Sequence, residues 1–514
     1  MTFTPSTYQA AIFDLVDQII AGKSDVRSIV VRAVAGSGKT TTLVQIAKRL
    51  PARMVRQAVF VAFNKEIVKE LGDKLPEGFL SKTIHGIGYG VLRQHLGVRG
   101  KWEVDAYKNE NMVKAQIKRV PCAGLVDEEE IEQVIASTAL LLDKAMLTLT
   151  DVTDMDAIDA LIGHFEIELL RPEWSIAQLP FLLARTAEVA QYVISYTDMI
   201  YLPVALNAYF EQYALVMVDE CQDLNACQRK FVQNLRDEDG TMIFVGDPMQ
   251  AIYGFAGADC DSIDRIIQET SAVTMPLDIC YRCPCSHIRL AQEIVPYIQC
   301  KDGADEGTVL YHKRDDLMDV IQKGDMIVCR TTAPLIEAAY ELIRGGIGAK
   351  VRGRDIGKSL NKIVDSVAKG NGFHFGIFFE RLSYYQQVTC DKLAKKPNTE
   401  MIIASIVDKC ECLVAIYEEG CANGTLKTVG DIRAAVNNLF ADDNAVVMLS
   451  SIHKAKGLEA DRVILLGPEA IPHAMARSPW AVEQEGNLKY VALTRAMDTL
   501  ILMSGRPRKS KKDS

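Results

Sequence analysis

The run SIVVRAVAGSGKTTTL at positions 28–43 carries an apolar stretch into a glycine-bearing turn, and Gly38, Lys39 and Thr40 then open a helical pattern. In such a turn the backbone N–H groups of Ala35, Gly36, Ser37, Gly38, Lys39, Thr40 and Thr41 join the helix dipole in favouring an anion. The chemistry expected is a phosphate cradle in which Lys39 neutralises β and γ phosphates and the Thr40 hydroxyl ligates Mg²⁺. The usual pattern G-x-x-x-x-G-K-[ST] departs here at its first position, which is Ala33. Farther on, YALVMVDECQDL at 213–224 delivers Asp219 and Glu220 at the end of a second apolar run. Two carboxylates at the carboxyl end of a parallel strand suit separate tasks, Asp219 holding Mg²⁺ through its water shell and Glu220 orienting an attacking water. Taken alone the pair could equally cap a following helix, and it gains its meaning from the phosphate loop upstream. A third run, IFVGDPMQAIYGFAGA at 243–258, sets Gln250 just past another strand. A neutral amide there can bond both a γ-phosphate oxygen and a water, and so sense whether the phosphate is present.

These residues need strands to carry them. Short apolar runs at 28–31, 58–63, 214–218, 241–246, 325–329 and 462–466 read as buried parallel strands, most followed by a turn and a helical pattern. That alternation predicts an α/β fold with parallel sheets covered on both faces. Two stretches differ, 89–196 and about 356–440, where acidic and apolar positions recur at helical spacing. Each is long enough for a small helical insertion domain, the alternative being a pair of long helical crossovers within one sheet.

The chain of 514 residues leaves room for three or four compact units at ~150 residues each. Hydrophobic residues at 48%, charged at 24% and aromatic at 7% exclude intrinsic disorder and fibrous repeats. No 18-residue apolar stretch or basic-then-apolar N-terminus occurs, so neither a membrane span nor a secretory signal is expected. A net charge of −9 gives no overall nucleic-acid signature, and any such contact needs a local groove. Thirteen irregularly spaced cysteines predict no disulfide scaffold and point to a reducing cytoplasm.

Further motifs follow in order: AFNKE at 62–66, KTIHG at 82–86, YTDMIYLP at 196–203, CYRCP at 280–284, SIHKAKGLEADRVILL at 451–466 and YVALTRAMDTLIL at 490–502. With the phosphate loop, their order resembles superfamily 1 helicases of the UvrD/Rep/PcrA type over essentially the whole chain. The resemblance implies two RecA-like motor domains, 1–88 with 197–275 and 276–355 with 441–514, interrupted by helical insertions at 89–196 and 356–440. It implies an ATP- and Mg²⁺-dependent enzyme that moves on single-stranded DNA and opens single-strand/duplex junctions, hydrolysing ATP as the cleft between the motors closes. By the same resemblance Gln9 reads the adenine edge, Tyr281 stacks on the adenine, Glu459 contacts the ribose, and Arg282 and Arg495 reach the γ-phosphate. The strand track is implied to use Phe63, Asn64, Thr83, His85, Tyr253, Phe255 and His453, with core packing as the alternative for the aromatic residues. Phe255 stands where the family commonly has tryptophan, and AFNKE departs from the commoner FTNKA. The form HKAKGLE resembles the branch that tracks 3′ to 5′. The second insertion, about 85 residues, is shorter than in the best-known relatives.

Cys280, Cys283, Cys285 and His287 could suggest zinc, but their spacing is not that of a paired ribbon, and Tyr281 and Arg282 lie between them. Cys410, Cys412 and Cys421 read as buried or idle thiols. The acidic run at 127–132 reads as an exposed helix start, Asp442 and Asp443 as a loop, and the basic tail from Arg506 as a frayed end. With the last motif close to residue 502, no appended nuclease domain is expected. A DNA-sensing ATPase that regulates a partner in repair, replication or defence, and a motor of opposite polarity, stay open as alternatives, as does the oligomeric state.

Overall fold

The computed structural model describes residues 3–62, 65–72, 74–100, 102–122, 128–165, 167–252, 261–369, 372–394, 400–440, 446–477 and 479–505. The chain divides into two compact units, Met1–Asp278 and Ile279–Ser514.

The first unit contains β1 (Ser28–Ala33), β2 (Ala58–Ala62), β3 (Leu80–Thr83), β4 (Glu103–Val104), β5 (Val193–Ile194), β6 (Tyr213–Val218), β7 (Arg236–Gly246) and β8 (Val273–Leu277). Six of these form one sheet in the order β3-β2-β6-β7-β1-β8. Every neighbouring pair in it is parallel. Because successive strand side chains point to opposite faces, the same strands feed two cores. Val30, Val59, Val216 and Phe244 pack on one face with Ile87, Phe231 and Ile266. Ile29, Phe60, Met217 and Ile243 pack on the other with Ile12, Phe13, Leu43 and Ile46. Burial on both faces is why these strands read as unbroken apolar runs.

Between β3 and β6 the chain is mostly helical, with helices Ile84–His95, Lys108–Arg119, Glu128–Thr148, Met155–His164, Pro172–Val189 and Tyr196–Ala205. The middle four build a core of their own around Val113, Leu141, Leu142, Met146, Leu179 and Leu182, while Ile87 and Ile200 of the outer two pack on the sheet. A buried ion pair, Lys108 Nζ to Asp198 Oδ2 at 2.5 Å, ties this layer to the helix Tyr196–Ala205. The helices Ile84–His95 and Tyr196–Ala205 meet backbone to backbone at Gly88, where an added Cβ would lie 1.8 Å from the Met199 carbonyl oxygen. Gly90, two residues on in the same helix, faces open space. The same substitution should therefore act with opposite sign at the two positions. Gly88→Ala is expected to destabilise the first unit by about 1–3 kcal/mol through overpacking. Gly90→Ala should stabilise it by roughly 0.5–1 kcal/mol through helix propensity. Thermal melts of both variants check this, and equal shifts would contradict the close approach at Gly88.

The second unit contains β9 (Ile279–Cys280), β10 (Gln299–Cys300), β11 (Thr308–Lys313), β12 (Met326–Cys329), β13 (Ala349–Val351), β14 (Val447–Ser451), β15 (Ala460–Leu466) and β16 (Ala496–Ser504). Its six-stranded sheet runs β11-β16-β15-β12-β14-β13, again parallel throughout. Between β13 and β14 lie the helices Arg354–Ala368, Phe378–Ala394, Glu400–Ala422 and Val429–Leu439. Leu360, Val364, Leu413, Ile416 and Val436 from these helices share one core with Ile336 and Leu342 and with strand residues Ile327, Val351, Leu449 and Ile464. Two parallel six-stranded sheets with covering helices are the α/β architecture expected. No helix among the described residues is long and apolar enough to cross a membrane.

Candidate nucleotide and nucleic-acid site

In the first sheet β7 lies between β6 and β1, so the loops leaving the carboxyl ends of β1, β6 and β7 are neighbours. Those loops carry the phosphate-loop residues, Asp219 with Glu220, and Asp247 with Gln250. Gly38 holds φ +80 at the N-cap of the helix Lys39–Arg49, a left-handed conformation that glycine adopts without strain, and no side chain caps the helix's first amides. The loop is pinned where Val34 N donates to Leu277 O at 3.1 Å and Ser37 N donates to Val34 O at 3.3 Å. Gln9 is 3% exposed, and its Nε2 donates to Thr42 Oγ1 at 3.1 Å. Its Oε1 accepts from Ser6 N at 3.1 Å, so the loop's helix is tied to the one before β1.

Thr40 Oγ1 donates to Asp219 Oδ2 at 3.1 Å, and Lys39 Nζ lies 3.6 Å from Glu220 Oε1. Glu220 has φ +52, a strained setting for a non-glycine residue, and its backbone N–H donates to Asp219 Oδ1 at 2.9 Å. Burial pushes the Asp219 carboxyl up to about 6, the Glu220 charge adds to the rise, and Lys39 opposes it. Burial likewise pushes Asp247 up to about 6 against the pull of Lys39. The site is thus short of positive charge around deeply placed carboxylates. A carboxylate and a hydroxyl in contact are the hard oxygen donors that suit a magnesium ion. The buried Ser37 Oγ, which has no hydrogen-bond partner, is a further polar atom a phosphate oxygen would satisfy. These residues fit a nucleotide triphosphate with Mg²⁺.

Two further residues of this site went unassigned in the sequence reading. Gln222 Nε2 donates to Glu220 Oε2 at 2.6 Å, while Gln222 Oε1 accepts from Asp247 N at 3.0 Å. Gln250 Nε2 in turn donates to Asp247 Oδ2 at 2.9 Å. A continuous chain, Glu220–Gln222–Asp247–Gln250, therefore links the carboxylate expected to orient water with the amide expected to sense phosphate. Gly246 makes room for it, since a Cβ there would lie 2.5 Å from Gln222 Oε1 and 2.7 Å from Cys221 Sγ. The signal in the sequence was the glutamine two residues after Glu220.

Thr83 and His85 sit at the carboxyl end of β3. The Thr83 hydroxyl caps the helix Ile84–His95 by accepting from Gly86 N at 3.1 Å. The half-buried His85 ring meets Tyr196 edge-on at 6.0 Å, and burial lowers its pKa. Tyr196 is 58% exposed and begins the YTDMIYLP motif. Phe63, Asn64, Tyr253 and Phe255 lie outside the described residues.

In the second unit Tyr281 is exposed, and Arg282 Nε pairs with Glu459 Oε2 at 2.6 Å. Arg282 Nη1 also reaches Thr494 O at 3.4 Å. Arg495 is 1% exposed and donates to Val491 O at 2.9 Å, Leu458 O at 3.0 Å and Thr494 Oγ1 at 3.3 Å. The structure therefore gathers Arg282, Glu459 and Arg495 around Thr494, with Glu459 serving Arg282. His453 follows β14, and desolvation, Arg330 and Lys454 push its imidazole down to about 3. The cysteines here differ from expectation. Cys285, the first residue of the helix Cys285–Ala291, forms a disulfide with Cys300 of β10, 15 residues on. His287 is buried and bonded through Nε2 to Thr308 O at 3.1 Å, and Cys283 Sγ points at Thr494 O at 3.6 Å. Cys410 and Cys412 are buried and Cys421 is an exposed free thiol.

Comparison with known proteins gives the family. The UvrD/REP helicase N-terminal domain matches residues 17–271, and the UvrD-like helicase C-terminal domain matches 424–506. The chain is similar to F-box DNA helicase protein 1 of Schizosaccharomyces pombe, 22% identical over 92% of this chain and 55% of that protein. It is 25% identical to DNA helicase IV of Escherichia coli over 45% of this chain and 39% of that protein. ATP-dependent DNA helicase PcrA of Bacillus subtilis is 20% identical over 52% of this chain and 37% of its own length. The chain thus spans about half the length of the first of these relatives and less of the others. With both domains matched in order along the chain, the chain belongs to the UvrD-like helicase family.

Proposed function

We propose that the protein is an ATP-dependent DNA helicase that moves 3′ to 5′ on single-stranded DNA and opens single-strand/duplex junctions in the cytoplasm. The observation that carries the reading is the hydrogen-bonded chain from Glu220 to Gln250 beside Lys39, Thr40 and Asp219, on three neighbouring strand ends. Backbone amides of Ala35 to Thr41 bind the triphosphate, and Lys39 leaves Glu220 to neutralise the β and γ phosphates. Asp219 and Thr40 hold Mg²⁺, which supplies charge neutralisation at the phosphates. Freed of Lys39, Glu220 accepts a proton from the attacking water, and its partner Gln222 keeps the carboxylate aimed. Gln250 reports the γ-phosphate through Asp247 and Gln222. Arg282 exchanges Glu459 for phosphoryl oxygens and Arg495 adds a second guanidinium, matching charge spread over three equatorial oxygens. Tyr281 stacks on the adenine, Gln9 reads its edge, and Glu459 turns to the ribose once Arg282 has left.

On the strand side, Thr83, His85, Phe63, Asn64, Tyr253, Phe255 and His453 form a track whose aromatic rings stack on bases without reading them. We assign residues 1–88 with 197–275 and 276–355 with 441–514 to the two motors, and 89–196 and 356–440 to the insertions. Matched duplexes with a single-stranded tail at the 3′ or the 5′ end test the whole reading when ATP hydrolysis is followed in the same tubes. Opening of the 3′-tailed duplex alone is expected. Opening of the 5′-tailed duplex alone would reverse the polarity, and DNA-stimulated hydrolysis with neither opened would favour the DNA-sensing ATPase.

A further inference from the structure

The helix Ala333–Arg344 begins at the carboxyl end of β12, a central strand of the second sheet and the place where open parallel sheets bind ligands. Its N-cap residue, Thr332, makes no side-chain cap of its own. The cap comes from 76 residues away: Asp408 Oδ1 accepts from Thr332 N and Ala333 N, each at 2.9 Å. Oδ2 also accepts from Thr332 N, at 3.1 Å. Asp408 belongs to the helix Glu400–Ala422, inside the second helical insertion. The loop it fixes starts at Arg330, which is clamped in two-pronged fashion by buried Glu485, with Nε to Oε1 at 2.8 Å and Nη2 to Oε1 at 2.6 Å. Arg330 lies close enough to His453 for its charge to act on that imidazole, and His453 sits at the carboxyl end of the adjacent strand β14. One carboxylate from the insertion therefore sets the backbone of a loop that borders the residue assigned to the strand track.

We infer that Asp408 is a positioning residue through which the second insertion sets the strand-binding edge of the second unit. The amides of Thr332 and Ala333 lie ahead of those an N-cap hydroxyl reaches, so supplying their acceptor from the helix Glu400–Ala422 makes the edge depend on where that helix lies. The helix is itself held by its packing: Leu413 and Ile416 lie in one core with Leu335, Ile336 and Leu342 of the helix that Asp408 caps. This inference rests on the proposed strand-binding role of His453.

The test measures ATP turnover of the full chain against oligothymidylate concentration for the parent protein, Asp408→Ala, Asp408→Asn and Glu419→Gln. Asp408→Ala should raise the half-saturating oligothymidylate concentration about fivefold or more with DNA-free turnover unchanged, the scale of a lost cap. Asp408→Asn keeps an acceptor for both amides and should restore half-saturation to within about twofold of the parent. Glu419→Gln removes the ion pair with Arg344, another tie between the same two helices, and should leave half-saturation in place. If Asp408→Ala does not fold, Asp408→Glu replaces it, since the longer side chain keeps the charge and displaces the cap. Unchanged half-saturation in Asp408→Ala, a loss in Asp408→Asn as large as in Asp408→Ala, or an equal shift in Glu419→Gln would each overturn the inference. A parent protein whose turnover ignores oligothymidylate would overturn the strand-binding reading itself, and the inference with it.

Discussion

Lys39→Ala is expected to lower ATP turnover by roughly two to three orders of magnitude, the usual cost of removing one preorganised charge from a transition state, while the protein still folds and unfolds cooperatively. The two halves of this expectation have separate causes. Lys39 is the first residue of the helix Lys39–Arg49, it belongs to neither core of the first sheet, and alanine is a better helix former. Its removal therefore leaves packing intact. The charge, however, has no substitute among the residues of its own loop, since Ala35, Gly36, Ser37, Gly38, Thr40 and Thr41 are all neutral. Lys39 opposes the upward shift at both Asp219 and Asp247. Without it both carboxyls rise further and spend more time protonated at neutral pH, so cation affinity falls as well. Steady-state hydrolysis at saturating DNA, paired with a thermal melt, checks the prediction. Turnover within tenfold of the parent would return the loop to a purely structural role.

The central strands of both sheets were readable because burial on two faces leaves an unbroken apolar run: β1, β2, β6, β7, β12 and β15 all answer to such runs. Four strands that escaped notice, β3, β8, β11 and β13, are the edges of the two sheets, where one side meets solvent and polar residues are tolerated. In β8, Pro276 sits where an edge strand can lack a donor. β14 ends in Ser450 and Ser451 and the first half of β16 carries Asp498 and Thr499, so the apolar residues of these two interior strands, Val447 to Leu449 and Leu500 to Met503, cover only part of each. Within the site, what the sequence carries is the set of strand-end residues, because each motif is local. The partnerships are not local. The bond from Gln222 to Asp247 exists because β6 and β7 are neighbours, the pairing of Arg282 with Glu459 spans 177 residues (459 − 282), and the Asp408 cap crosses from one helix to another. Such contacts depend on strand order and helix packing, which periodicity does not encode.

Glu220→Gln should separate binding from chemistry more cleanly than Lys39→Ala, lowering turnover by about two to four orders of magnitude while ATP and DNA still bind. The substitution keeps shape: a glutamine carbonyl can accept the bond from Gln222 Nε2 that Glu220 Oε2 now accepts at 2.6 Å, and it meets the same positive φ. What disappears is one negative charge, and its loss acts in two known directions. Asp219 loses the neighbour that helps raise its pKa, so its ionised form becomes easier to hold and cation affinity is maintained or improved. Lys39 loses its 3.6 Å partner and is freer to meet phosphate. Ground-state ATP binding should therefore be unchanged or tighter, and the defect should appear in turnover alone, because an amide cannot take a proton from water at neutral pH. Titration calorimetry with ATP and Mg²⁺ alongside steady-state hydrolysis separates the outcomes. Weakened ATP binding with proportionate loss of turnover would make Glu220 the structural counterion of Lys39, and near-parent turnover would move the water-orienting role to another carboxylate, for which Asp247 is the candidate on the same hydrogen-bonded chain.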